Sequence, residues 1–232
     1  MAKLKVMCAR SMHVAVGALG KAFAQGEGHE IAFDFGTVGA LQGKLDGGET
    51  ADVVILSIPG IDKLEQAGAL VTGSRKNVAK TFIALCIREG AQRPDFATME
   101  AFKRLLENAR AIATSDPAVG GSAGVHLAKT FEHTGLAAMM ATKSLPQQSG
   151  VEVAKRVVEG QAEFGLTLSG EVASVLGAVI AGPLPLPFGQ DTTYCAAVMA
   201  NSSVKDEALA FIAALTRSDT RRTWAKAGFE LP

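Results

Sequence analysis

The sequence predicts an α/β fold in two lobes, each built on a mostly parallel sheet. Three observations carry this. Short β-rich apolar runs alternate with stretches of helical periodicity, the rhythm of successive βα units. The alternation comes in two sets that meet near residue 80. The 232 residues, 48% hydrophobic and 20% charged, can bury one large core or two smaller ones.

In the first set, strands are expected at 4–8, 31–35 and 53–56, with helices at 12–24, 38–45 and 61–67. The second set has strands at 82–87, 111–114 and 163–168, with helices at 99–108, 124–132 and 151–159. A strand at 194–199 and helices at 205–215 and 219–226 come last. There is no internal repeat and no long Ser, Gly or Pro-rich linker, so any two lobes are joined by short crossings.

Composition excludes several classes. Lys plus Arg total 23 and Asp plus Glu total 23, which leaves no field to attract nucleic acid or an anionic membrane. The longest uncharged run, 172–189, holds three prolines and does not read as a membrane span. Cys8, Cys86 and Cys195 each sit in an apolar run, the setting of a small buried hydrophobe. His13, His29, His126 and His133 are scattered and no cysteine pair has ligand spacing, so neither a metal nor any other cofactor is implied. The start goes almost directly into a strand, so a periplasmic location requires an export signal ahead of this methionine; otherwise the location is cytoplasmic.

The chemistry points to helix starts, where unpaired backbone N–H groups and a partial positive charge favour anions. Four such places carry small or hydroxyl residues: Ala9-Arg10-Ser11, Gly36-Thr37-Val38-Gly39, Gly120-Gly121-Ser122-Ala123-Gly124, and Ser149-Gly150. The plainer reading of each is a capping hydroxyl or a turn glycine that touches no ligand. Two nucleotide look-alikes fail. The run ending in Gly43-Lys44 has Val38 where a P-loop needs glycine and Leu45 where it needs Ser or Thr, and 120–124 lacks dinucleotide spacing.

A family resemblance rests on particular segments. Residues 6–12 form a strand ending in Ala-x-Ser, 35–41 read Phe-Gly-x-x-Gly-Ala-Leu, and 48–53 read Gly-Glu-Thr-Ala-Asp-Val. With 64–70, Asp116-Pro117, Ala123-Gly124, 157–165 and Ala227-Gly228-Phe229, they resemble the molybdate-binding receptors of ABC transporters, in the same order along the chain. The resemblance implies a type II periplasmic binding protein fold with mixed, mostly parallel sheets. One lobe would be 1–80 plus 192–232, the other 81–191, with the ligand in the cleft between them and a hinge at the crossings near 80 and 191. It also implies a monomer that holds a small anion and serves an ABC permease.

In such receptors a tetrahedral oxyanion is held by hydroxyls and helix-start amides. By resemblance Ser11 supplies a hydroxyl, and Ala123 and Gly150 supply backbone donors, with Ser122 beside them. Two positions depart: Val38 stands where the family has serine and Leu168 where it has tyrosine. Each lost charge-assisted bond is worth about 1.5–3 kcal/mol, so losing two weakens oxyanion binding about a hundredfold to ten-thousandfold. Thr37, Thr167 and Ser169 lie one residue away, but strand neighbours face opposite ways, so they compensate only if the backbone shifts.

Arg10 stands where the family has a small residue and suits a carboxylate through a bidentate pair, unless it points outward as a solvated charge. The expected ligand is therefore a small organic carboxylate rather than molybdate. The competing reading is an isomerase of unsaturated di- or tricarboxylic acids on the same scaffold, since aconitate isomerase is similar to these receptors. Its clamp would be Arg10, Ser11 and the amides of 122–124. Its base would be His126, followed by Glu171 and His13.

Overall fold

The computed structural model describes residues 1–231 and divides into two compact units, Met1–Lys80 with the chain from Thr192 onward (unit 1) and Thr81–Asp191 (unit 2). Unit 1 opens with β1 (Lys3–Ala9), a 3-10 turn at Arg10–Met12, α1 (His13–Glu27), β2 (Glu30–Gly36), α2 (Val38–Asp46), β3 (Val53–Ser57) and α3 (Ile58–Gln66). β4 (Lys76–Arg88) carries the chain into unit 2. There α4 (Met99–Asn108), β5 (Ile112–Ser115), α5 (Ser122–His133), α6 (Ala137–Lys143), β6 (Ser144–Gln147), α7 (Gly150–Val158), β7 (Phe164–Leu168), α8 (Ser169–Ala173) and β8 (Ala178–Pro183) follow. β9 (Asp191–Val198) returns to unit 1, which α9 (Lys205–Leu215) and α10 (Arg221–Lys226) complete.

In unit 1 the strands run in the order β2-β1-β3-β9, with the first two pairings parallel and the last antiparallel. Both faces are covered, so alternate residues of one strand enter different cores. Leu4, Val6 and Cys8 of β1 join Val53 and Ile55 of β3 and Ala196 of β9 in one cluster with Phe23, Phe211 and Trp224. Met7, Val54, Leu56 and Ala197 enter the other, with Leu41, Ile61 and Leu64 from α2 and α3. This double burial explains why the strands read as continuous apolar runs.

Unit 2 repeats the rule. β7 lies between antiparallel β4 and parallel β5, with β6 beyond β5 and β8 on the other side of β4. Ile83, Leu85, Ile112, Leu166 and Leu168 pack with Phe102, Phe131 and Phe188. Cys86 and Ala113, one residue out of step, pack with Val153, Ala154 and Val157 of α7. α7 sits close because Gly165 has no side chain: a Cβ there would lie 2.9 Å from Val153 and 3.0 Å from Val157.

The helices at 99–108 and 205–215 form over the expected residues. β4 is longer than the expected strand because it continues through Lys76–Lys80, where its polar residues conceal it. α6, β6, α8 and β8 were not anticipated. β6 reads Ser-Leu-Pro-Gln at a sheet edge, where proline is tolerated, and β8 lies inside the proline-bearing run at 172–189. α1 starts at His13, behind the 3-10 turn that holds Ser11.

Phe102 is fully buried with its ring 4.9 Å from that of Phe188. Phe102→Ala should cost about 3–5 kcal/mol in urea unfolding; a loss below about 1 kcal/mol would show that α4 is not anchored by this pair.

Candidate functional site

Each unit carries a group of helix-start donors on its own scaffold. In unit 1, β1 delivers Ser11 on the 3-10 turn, and its hydroxyl lies 2.8 Å from that of Tyr194 on β9. Tyr194, the only tyrosine in the chain, is 4% exposed and packs edge-on against Phe229. Sequence reasoning read Tyr194 only as the start of a strand; a lone tyrosine in an apolar strand is the signal that could have marked it. Arg10 beside Ser11 is exposed, and its guanidinium has no hydrogen bond or ion pair among the described residues.

Thr37 is the N-cap of α2, its hydroxyl accepting from the Ala40 amide at 3.2 Å. Val38 is half-buried, packs against both unit 1 cores, and would touch a Cβ on Gly60 at 2.9 Å. So at this corner the threonine hydroxyl serves its own helix, and the valine isopropyl packs against the cores.

In unit 2, α5 begins at Ser122 after Gly121, and no side chain caps it. The Val125 amide makes the first bond back to Gly121, which leaves the amides of Ser122, Ala123 and Gly124 outside the helix ladder. Ser122 is exposed, whereas Ala123 and Gly124 are buried. Gly124 lets the helix start press on β5, since a Cβ there would sit 2.7 Å from the Ser115 carbonyl oxygen.

The start of α7 holds the densest polar cluster. Ser149 caps it, accepting from the Glu152 amide at 3.3 Å. The Thr167 hydroxyl donates to the carboxylate of Glu171 at 2.7 Å, and the Gly150 backbone lies against the same carboxylate. The Ser115 hydroxyl lies 3.5 Å from that of Thr167. Glu171 is the third residue of α8, and the nearby Gly150 and Leu168 amides favour its charged form. Burial pushes the Glu171 carboxyl above the usual carboxylate range, against the pull of these three donors.

Strand alternation decides which residues reach this cluster. Thr167 is fully buried and meets Glu171, whereas Leu168 points into the phenylalanine-rich core, and Ser169 bonds Thr81 at 2.7 Å. His126 on α5 places Nε2 3.1 Å from the Pro187 carbonyl oxygen and 3.5 Å from the Thr130 hydroxyl. His13 is exposed, with Nδ1 3.0 Å from the Arg10 carbonyl oxygen. Of the three candidate bases, Glu171 is the one that lies against the start of another helix.

Among the described residues, no group of three His, Cys, Asp or Glu side chains is placed to hold a metal ion. The three cysteines are free and buried, with the Cys86 thiol pushed up to about 12 by burial. Such thiols are poor nucleophiles.

Gly150 is required by packing, because a Cβ would overlap the Glu171 carboxylate and the Thr167 hydroxyl. Gly150→Ala should therefore cost about 1–3 kcal/mol in denaturant unfolding; no loss would contradict the close approach. Because the folded-state pKa of Glu171 is raised, its contribution is full below about 4.3, the unfolded value, and lost as pH rises through the folded value. The melting temperature of the wild type should fall relative to Glu171→Gln between pH 4.5 and 8; parallel curves would show that the carboxyl is unperturbed.

The sequence matches the bacterial extracellular solute-binding protein family over residues 4–230. Aconitate isomerase of Pseudomonas sp is 30% identical over 194 residues, covering 82% of this chain and 71% of that protein. Among solved structures, the periplasmic molybdate-binding protein of Azotobacter vinelandii superposes with a TM-score of 0.74 at 20% identity, covering 99% of each chain. The sulfate-binding protein of Mycobacterium tuberculosis gives 0.72 at 18%, covering 99% of this chain and 86% of that one. These two likenesses establish the type II binding-protein fold. Since the family match runs almost from end to end, and the isomerase shares the sequence over most of both chains, this chain belongs to the bacterial extracellular solute-binding protein family.

Proposed function

We propose that this chain binds a small organic acid, a di- or tricarboxylate, and not molybdate. The observation that supports it most is Arg10, an exposed guanidinium without an internal partner, next to the Ser11–Tyr194 hydroxyl pair. A guanidinium presents two parallel N–H donors that match a carboxylate. Val38 removes a hydroxyl that a tetrahedral oxyanion would use, and Thr37 does not replace it because it caps α2. Within unit 2, the amides of 122–124 at the start of α5 stand outside the helix ladder, a set of donors of the kind that an anion takes. In this reading the protein is an exported receptor that hands its ligand to an ABC permease and acts as a monomer.

A second reading is an isomerase of an unsaturated di- or tricarboxylic acid. It is favoured by the 30% identity to aconitate isomerase and by Glu171, a half-buried carboxyl with a raised pKa. A double-bond shift needs a base that removes a proton from one carbon and returns it at the other end of the allylic system. His126 and His13 are the other candidates, each with one ring nitrogen donating to a backbone carbonyl, which leaves the second nitrogen to accept a proton.

Calorimetric titration separates carboxylate from oxyanion. Cis- or trans-aconitate or a related acid should bind, with molybdate and sulfate silent; tight molybdate binding with no response to carboxylates would overturn the reading. Arg10→Ala should weaken the acid about tenfold or more, the worth of one charge-assisted bond, and unchanged affinity would place Arg10 outside the site. Following the bound acid by proton NMR during incubation then separates receptor from isomerase, because only the isomerase converts it.

A further inference from the structure

Glu171 presents an acceptor at a place built to donate. At the start of α7, the Thr167 hydroxyl donates to its carboxylate at 2.7 Å and the Gly150 backbone lies so close that a Cβ there would overlap it, while the nearby Gly150 and Leu168 amides favour its charged form. Among the described residues, no ion pair joins it to a cation. The elements packed on α8 are α7, β7 and β8, and the two strands carry no titratable side chain. On α7, Glu152 faces the Gln148 amide, Lys155 is exposed, and Arg156 bonds Gln147, Glu159 and Gln161. An anion approaching these donors therefore meets a carboxyl that no described cation around it offsets. Two carboxyl groups in such a place resolve the conflict by sharing one proton. A fully ionised anion of a strong acid cannot.

We infer that Glu171 sets the ligand class of this site: the bound acid and the Glu171 carboxyl share one proton, which admits carboxylic acids and rejects fully ionised oxyanions such as sulfate. The inference rests on the carboxylate reading and adds the group that enforces it. Binding is then linked to proton uptake, and above the pKa of the shared pair affinity falls about tenfold per pH unit.

The test uses the full chain and its Glu171→Gln variant, in which the amide mimics the neutral acid and the charge is gone. Titrations with trans-aconitate at pH 7.5, in two buffers of different ionisation heat, count protons taken up. The wild type should take up about one proton per ligand and Glu171→Gln none. Sulfate should be silent on the wild type and bind the variant at least about tenfold more tightly. Equal proton uptake by the two proteins, or none by the wild type, overturns the inference, as does sulfate binding the wild type as well as the variant. If no carboxylate binds either protein, the carboxylate reading fails by itself; sulfate then still decides the role of Glu171, a gain in the variant supporting it and no gain overturning it. The wild-type proton count needs no variant, so poor folding of Glu171→Gln leaves that arm decisive.

Discussion

Everything at this site depends on strands buried on both faces. When helices cover a sheet on each side, neighbouring residues of one strand belong to different cores, and a single step along the chain changes a side chain's surroundings completely. β7 shows the consequence. Leu166 and Leu168 enter the core built around Phe102 and Phe188, whereas Thr167 between them emerges at the start of α7 and bonds Glu171. Leu168 thus adds to a core, and the polar contact falls to its neighbour Thr167. The expectation that Thr167 would need a shifted backbone to contribute applies to the position of Leu168. From its own position it reaches a different partner.

The helix starts divide into those that have spent their hydroxyls and those that have not. Thr37 and Ser149 serve as N-caps, each accepting from an amide three residues on. Ser11 instead pairs with Tyr194, so its hydroxyl stays bonded to a polar group rather than to its helix. α5 has no side-chain cap. In unit 1 an exposed guanidinium, Arg10, stands beside Ser11, and in unit 2 an acid, Glu171, lies against the start of α7.

The fold class was legible because its signals are local and redundant: continuous apolar strands, and helices such as 99–108 and 205–215 whose apolar face shows in the sequence. The elements that escaped, β6, β8, α6 and α8, are short, carry proline or glycine, or lack a capping signal, and exist because neighbouring elements pack on them. The candidate site was legible only in outline. Glu171 was readable as a candidate base, but its close approach to Gly150 joins residues far apart in sequence, and no local pattern encodes it. Tyr194 escaped for the same reason, since its partner Ser11 lies at the other end of the chain.

The account's central claim is that a carboxylate is held by donors at particular helix starts. The most direct test is a titration of 15N-labelled protein with trans-aconitate, following backbone amide shifts in two-dimensional NMR. The account predicts saturable shifts at the unit 2 amides of Ser122, Ala123, Gly124 and Gly150. Shifts confined to other surfaces, such as the outer faces of α1 and α9, with these amides silent at saturation, would contradict it.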